Sequence, residues 1–451
     1  MFPPDAARVV AAVATALDDC RDASGAIAIA LSGGRDSAAL LDAAANAAPS
    51  RGLALVALHV HHGLSPHADA WAEACVAMCA PHGIRCRVLP VHVPRGPRTS
   101  VEAEARRARY AALAAAAREE SATTVFLAHH LDDQAETLLL QLLRGAGPQG
   151  LAAMPALRID AGGNAWRRPL LDVPRAAIDA YVAARGLRTV DDESNADVRR
   201  ARNALRHRVA PVLATLVPGY PATLGRAAAL QAEAALLADE LAAIDACRAV
   251  AGATLDRTAL AALPAHRARN LLRWFLRGCG LPAPSQARLE AMLAQLTRAR
   301  PDARVRLAHA GMEIGVHRDR IVVHGPAPAD FTTPWHGEPE LMLPHGRLAF
   351  VAATRDALDP ALCAGGPLVV RARRGGERVA LGNGRPQRAL TRFLQELGLA
   401  EWERESLPLL FCGDALAAVP GVGVAVAYQA PPGGAGLALT WTPAGAPAAH
   451  R

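Results

Sequence analysis

The chain has 451 residues, 51% of them apolar and 20% charged, a globular balance that excludes a disordered chain. At roughly 150 residues per domain, about three domains fit. Formal net charge is +7, and all 49 basic residues are arginine. The absence of lysine excludes a Walker A loop, a protein-kinase site and Schiff-base chemistry. Arginine instead favours planar, bidentate contact with phosphate and carboxylate. A pI near 9.3 leaves two readings open, a polyanionic partner or a solvated basic surface.

In chain order, an N-terminal helix over 9–17 is followed by strand–helix alternation. Apolar runs at 26–31, 53–59, 85–91 and 124–128 read as short buried strands. Helical stretches lie near 36–48, 67–81, 100–120 and 132–143. This pattern predicts an α/β fold, a doubly wound parallel sheet whose ligand sits at the carboxyl ends of the strands. A helical middle domain follows over 216–330, ending in a strand-like stretch at 304–324. The Pro- and Gly-rich segment 325–346 reads as linker and turns. A small mixed α/β C-terminal domain is expected over 345–435, with an Arg-rich loop at 371–388, a helix near 386–397 and strands at 407–411 and 414–427. The uncharged tail 415–449 is broken by Pro and Gly, so strands are expected there rather than a membrane span. The eight cysteines form no C-x-x-C pair, which removes support for zinc ribbons and fits reduced thiols in the cytoplasm.

Three polar clusters fall where strands should end. Ser32-Gly33-Gly34-Arg35-Asp36-Ser37 follows the first strand and opens a helix, and its glycines and helix N-terminus suit an anion. Asp36 is out of place in a phosphate nest unless Mg²⁺ lies between them. His59, His61 and His62 end the second strand, where they can donate to phosphate or base. His129, His130, Asp132 and Asp133 follow the fourth strand, and carboxylates from two strand ends can share one Mg²⁺ against a triphosphate. Glu136 lies on the same helix face as Asp133, as metal support or amine holder. Arg106 and Arg109 sit three apart beside Glu102 and Glu104, as a salt-bridged face or as substrate contacts. Arg199, Arg200, Arg202, Arg206 and Arg208 crowd ten positions with no acid among them, which suits RNA phosphate. A second basic stretch, 371–392, holds Arg371, Arg373, Arg374, Arg378, Arg385, Arg388 and Arg392 against one glutamate, a net +6.

These motifs resemble a known family. SGGRDS is similar to the SGGxDS loop of the PP-loop (N-type) ATP pyrophosphatases. HVHHGL at 59–64, EARRARY at 104–110, HHLDDQAET at 129–137 and RGAGPQGL at 144–151 resemble the tRNA(Ile)-lysidine synthases among them. RPLL at 168–171, DESN at 192–195 and the RNxxR of Arg202, Asn203 and Arg206 follow in the same order. The resemblance is strong over about 20–215 and loose beyond. It implies a catalytic domain over 1–215 that uses ATP and Mg²⁺. The implied reaction adenylates the carbonyl oxygen at carbon 2 of the wobble cytidine in the CAU anticodon of isoleucine tRNA, and the amine of free L-lysine then attacks carbon 2 and displaces AMP. It assigns ATP to Ser32–Ser37, His59 and His61, and metal to Asp36 and Asp133. Catalysis falls to Asp36, Asp133, His130 and Arg109. Substrate contact falls to Glu136, Arg106, Asp192, Glu193, Asn195, Arg202, Asn203 and Arg206. A tRNA cytidine thiolase, which would want reactive cysteines such as Cys75 and Cys79, and a non-catalytic tRNA-binding scaffold are the rival readings. A homodimer is compatible with the sequence, which does not fix the oligomeric state.

Overall fold

The computed structural model describes residues 3–21, 25–63, 65–94, 101–298, 305–363, 366–381 and 387–444, apart from the side chains of Ser194 and Asn195. The chain divides into two compact units, Met1–Leu237 and Ala238–Arg451.

The first unit is built on a six-stranded sheet. Its chain order is α1 (Pro4–Asp18), β1 (Ile27–Ala30), α2 (Arg35–Ala47), β2 (Leu55–His61), α3 (Ala68–Cys79), β3 (Arg85–Pro90), α4 (Val101–Glu119), β4 (Thr124–Phe126) and α5 (Leu131–Leu143). Then come α6 (Pro148–Leu151), β5 (Leu157–Ile159), β6 (Ala165–Arg167), α7 (Arg175–Arg185), α8 (Ala201–Ala204) and α9 (Ala210–Leu216). Strand order is β3-β2-β1-β4-β6-β5, parallel throughout except for the β5–β6 hairpin at one edge. β1 is apolar on both faces because helices cover both. Ile27 and Ile29 pack with α1, α2 and α7, while Ala28 packs with α4 and Trp166. Strand order turns at β1, with β2 on one side and β4 on the other. In such sheets the crevice for a ligand opens at the carboxyl ends of these two central strands.

α10 (Tyr220–Ala249) carries the division between the units. The second unit continues with β7 (Val250–Ala251), β8 (Thr254–Asp256), α11 (Arg257–Ala262), α12 (Ala265–Gly278), α13 (Gln286–Arg298), β9 (Arg306–His309), β10 (Met312–His317) and β11 (Arg320–His324). The middle region is helical, and it also carries an antiparallel sheet ordered β7-β8-β11-β10-β9. Leu289, Met292 and Leu296 form one apolar stripe of α13 and share a core with Ile314 and Ile321 of that sheet.

Segment 325–346 departs from its reading as linker. It holds β12 (Thr332–Pro334) and β13 (Glu340–Leu343), and Trp335 between them is buried and stacks on Phe350 at 4.2 Å. Proline at 334 and 339 is tolerated because β12 and β13 lie at sheet edges. β14 (Gly346–Ala353), β15 (Leu368–Arg371), β16 (Arg378–Val379) and β17 (Arg388–Ala389) follow, then α14 (Leu390–Glu396) and α15 (Glu401–Ser406). The chain closes with β18 (Leu409–Cys412), β19 (Ala415–Val419), β20 (Gly423–Val424) and β21 (Gly436–Pro443). Sheets β12-β15-β18-β19-β20 and β13-β14-β21 share one core containing Val370, Leu410, Leu348 and Leu439. The helix expected from 386 starts at Leu390, because Arg388 and Ala389 pair with β16 first. No described helix is long and apolar enough to cross a membrane.

Candidate active site

The loop after β1 is held by its own serines. Ser37 Oγ donates to the Gly34 carbonyl at 2.9 Å, accepts the Ser32 amide at 3.2 Å and lies 3.1 Å from Ser32 Oγ. Gly33 has φ +84°, and a Cβ there would meet Cys75 Sγ at 3.1 Å and Val190 at 3.3 Å, so only glycine makes this turn unstrained. α2 then starts from an extended Gly34 with no side-chain cap, so its first N–H groups stay available to an anion.

Three of the residues assigned to ATP have partners within the fold, and His59 and His61 line the cleft as well. Arg35 turns away from the cleft onto Asp179 of α7 at 2.7 Å. His59 is 5% exposed, and its Nδ1–H donates to the Leu31 carbonyl at 2.9 Å, so it braces the end of β1. Burial holds its pKa below the ordinary value. His61 is held by Asp69 at 2.9 Å.

The acids converge from the other strand end. His130 is the N-cap residue of α5, and the Asp133 carboxylate accepts its backbone N–H at 3.2 Å. Its ring is 2% exposed, with Nε2 3.7 Å from Asp36 and 3.5 Å from Asp133, and Nδ1 3.7 Å from Asp132. Burial alone would discharge this imidazole, but the carboxylates of Asp132, Asp133 and Asp36 outweigh it and raise its pKa. Asp132 faces α7, accepting the Arg175 amide at 2.9 Å. Asp36 and Asp133 thus reach one ring from two strand ends, and they are hard oxygen donors of the kind Mg²⁺ takes. Among the described residues, no three His, Cys, Asp or Glu side chains could hold a metal unaided. A cation here would complete its shell with phosphate and water.

The arginine run that looked unopposed in sequence is opposed in space. Arg206 Nε lies 2.7 Å from Glu136 and its Nη2 3.1 Å from Asp133, while Arg202 Nε lies 2.9 Å from Glu136. A π-helical turn at Leu205–Val209 follows α8 here, a feature that often marks functional sites. Glu136 is buried and held by two guanidiniums. Burial works against the charged form of Asp133, yet His130, Arg202, His129 and Arg206 keep its pKa low. Arg199 folds onto Asp197 at 2.8 Å. Asn203 is buried and donates to the Asp197 carbonyl at 3.1 Å, a structural contact. Glu193 faces His67 at 3.4 Å, Arg208 is exposed, and the Asn195 side chain lies outside the described residues.

Between the two sets opens a cleft of about 710 Å³, lined among others by Ser32, Asp36, His61, Arg109, Asp133 and Arg200. Asp192 lines it too. Arg106 donates to Tyr110 at 3.3 Å and lies over its ring. Arg109 makes no ion pair among the described residues, which leaves it for an incoming anion. His62 and His129, from two of the polar clusters read in the sequence, also line the cleft, and so does Trp71, to which the sequence assigned no site role. Scarcity of aromatics was the one signal for Trp71. Burial, opposed by Asp133 and reinforced by Arg168, Arg202 and Arg106, pushes His129 down to about 3, so it is a neutral ring near pH 7. Cys75 and Cys79 are buried, and burial pushes the Cys75 thiol up to about 12. That is the opposite of a reactive thiolate and removes support from the thiolase reading.

The basic C-terminal stretch is likewise partly committed to the fold. Arg373 is 12% exposed at its side chain and donates to Thr391, so its guanidinium is committed to the fold. Arg388 pairs with Glu396 and Arg374 with Asp330. Arg371 lies over Phe411, 3.6 Å from the ring centre. Arg378 and Arg392 are exposed, and Arg385 lies outside the described residues.

Known families match along the chain. The PP-loop domain matches residues 6–213, the TilS substrate binding domain 255–322 and the TilS substrate C-terminal domain 368–441. A tRNA(Ile)-lysidine synthase of Ralstonia nicotianae is 44% identical over 440 residues, covering 93% of either chain. That of Nitrosomonas europaea is 40% identical over 427 residues, covering 92% of each. That of Alkalilimnicola ehrlichii is 44% identical over 413 residues, covering 90% of this chain and 91% of its own. With likeness of this depth running through all three matched regions, the chain belongs to the tRNA(Ile)-lysidine synthase family.

Proposed function

We infer that this chain is an ATP-dependent ligase that converts the wobble cytidine of the CAU anticodon of isoleucine tRNA to lysidine. The observation that carries it is the serine-clamped loop at the end of β1, whose Asp36 meets His130 and Asp133 from the neighbouring strand end at one cleft.

The cytidine carbonyl oxygen is a poor leaving group. It first attacks the α phosphorus of ATP, and pyrophosphate leaves. The ε-amine of lysine, having lost a proton, then attacks carbon 2 and AMP departs. The first N–H groups of α2 and the Ser32 hydroxyl would bind the pyrophosphate as charge builds on it, while Ser37, whose hydroxyl donates to the Gly34 carbonyl, holds the loop in shape. Arg109, on the cleft wall and without an ion pair among the described residues, would take a phosphate or the anticodon backbone. Asp36 and Asp133 would hold Mg²⁺, which when bound neutralises phosphate charge. His130 orients both carboxylates. Glu136, already on Arg202 and Arg206, is a poor free ligand but fixes the face against which an amine substrate would lie. Trp71 offers a ring on which an unstacked anticodon base can rest.

The test is mass analysis of isoleucine tRNA digested after incubation with ATP, Mg²⁺ and lysine. A lysine adduct at the wobble cytidine, absent without ATP or lysine, is expected. Asp36→Ala should cut tRNA-dependent pyrophosphate release by at least ~10²-fold while leaving tRNA affinity within about twofold. An unmodified cytidine, or activity retained in Asp36→Ala, would overturn the reading.

A further inference from the structure

By charge alone, Glu377 is out of place. It is the one acid among seven arginines in 371–392, where it should weaken RNA binding. Its side chain is only 9% exposed. Oε1 accepts two successive backbone N–H groups, of Arg374 at 2.7 Å and Gly375 at 2.8 Å. Oε2 faces Arg373 Nε at 3.4 Å. Arg373 in turn donates to Thr391 Oγ1 of α14 at 2.7 Å and to the carbonyl of Arg404 in α15 at 3.4 Å. The Glu377 carbonyl accepts the Leu390 amide at 2.8 Å. One acid therefore ties the loop to itself, to Arg373 and to the helix that follows. It is needed because Gly375 and Gly376 are both left-handed, at φ +87° and +82°, and cost the most order to fix.

The loop so held walls a cleft of about 410 Å³ with Arg371, Arg374, Arg378 and Phe411. Arg371 is set flat on Phe411. Arg374 leans on Asp330 in a pair exposed on both sides, worth little and easily exchanged for a phosphate.

Building on the reading of this chain as a tRNA ligase, we propose that Glu377 is a positioning residue, whose carboxylate shapes the 373–378 loop so that Arg371, Arg374 and Arg378 meet RNA phosphates together. Two acids of the same region then act in opposite senses. Asp330 competes with RNA for Arg374, whereas Glu377 prepares the arginines for it.

The experiment measures affinity of the full chain for isoleucine tRNA at several salt concentrations. Glu377→Ala should bind about tenfold more weakly, with a salt slope shallower by ~1–2, although it gains positive charge. Glu377→Gln keeps an oxygen for the two amides and should fall between. Asp330→Asn should bind as tightly as the parent or more so. ATP saturation of pyrophosphate exchange should not move in any of them. If Glu377→Ala unfolds the domain, Glu377→Gln decides. Parent-like or tighter binding by both Glu377 variants, with Arg371→Ala and Arg378→Ala weakened, would overturn the proposal and leave the tRNA reading intact. Parent affinity and slope in the two arginine variants as well would remove this surface from tRNA binding, and the proposal with it.

Discussion

At the scale of single residues, the paired acids of the first unit do different work according to what surrounds them. Asp36 and Asp133 face the cleft, while Asp42 is 3% exposed in the body of α2. It accepts the Tyr181 hydroxyl at 2.6 Å and two N–H groups of Arg185 at 2.8 and 3.0 Å, so it fastens α2 to α7. Burial works against its charge, but Arg185 and Tyr181 win and its pKa is lowered. A carboxylate depressed in the folded state gives stability that is complete above its unfolded pKa of ~3.9 and lost as pH falls through the folded value. Asp42→Asn should therefore cost about 1–3 kcal/mol at pH 7. The gap to the parent should close as pH drops from ~5 to below ~3. Denaturant unfolding at a series of pH values measures it, and a gap independent of pH would show that the charge of Asp42 contributes nothing.

At the scale of elements, β10 shows how a strand can be made to receive another element. Gly315 lies within it, where glycine ordinarily weakens a sheet. A Cβ there would meet the Trp402 ring at 2.5 Å and His324 Nε2 at 3.0 Å. Trp402 of α15 lies on the bare strand, stacked on His324 at 4.3 Å and 8°. His317 Nε2–H donates to the Gly398 carbonyl at 2.9 Å, and Arg306 pairs with Glu405 at 2.9 Å. The middle sheet and the α14–α15 pair are thus joined by shape at one missing side chain. Gly315→Val should destabilise the second unit by ~1–3 kcal/mol through overpacking, read by chemical denaturation, and leave nucleotide binding unaltered. Unchanged stability would mean that Trp402 can swing clear at no cost.

At the scale of the whole molecule, the nucleotide loop and its acids belong to the unit ending at Leu237, and the arginine loop of 371–378 to the other. A chain truncated at Leu237 should retain ATP binding, since the clamp of Ser32, Gly34 and Ser37 is internal to that unit. It should hold isoleucine tRNA more weakly, and each lost phosphate contact should flatten the salt slope by ~0.7–0.9. Calorimetric titration with ATP and tRNA binding across salt concentrations check both halves. Full tRNA affinity and slope in the short chain would confine recognition to the first unit.

Much of this was determined by the sequence itself. Alternating apolar runs and helical stretches fixed the parallel core, because a strand buried on both faces must be apolar throughout. The Ser32–Ser37 and His130–Asp133 clusters were legible because loops at strand ends carry their chemistry in contiguous residues. The rest was decided by contacts distant in the chain. Arg202 and Arg206 looked unopposed because Glu136 lies 66 and 70 residues away, and only folding brings it to 2.9 and 2.7 Å. His59 became a brace, Arg35 turned to Asp179, and Trp335 made strands out of an apparent linker. Gly315 stayed silent because the ring that needs its missing side chain comes 87 residues later. Local pattern records which elements form. Which polar groups remain free for a substrate depends on what burial pairs first, and that is set only when segments distant in the chain pack together within each unit.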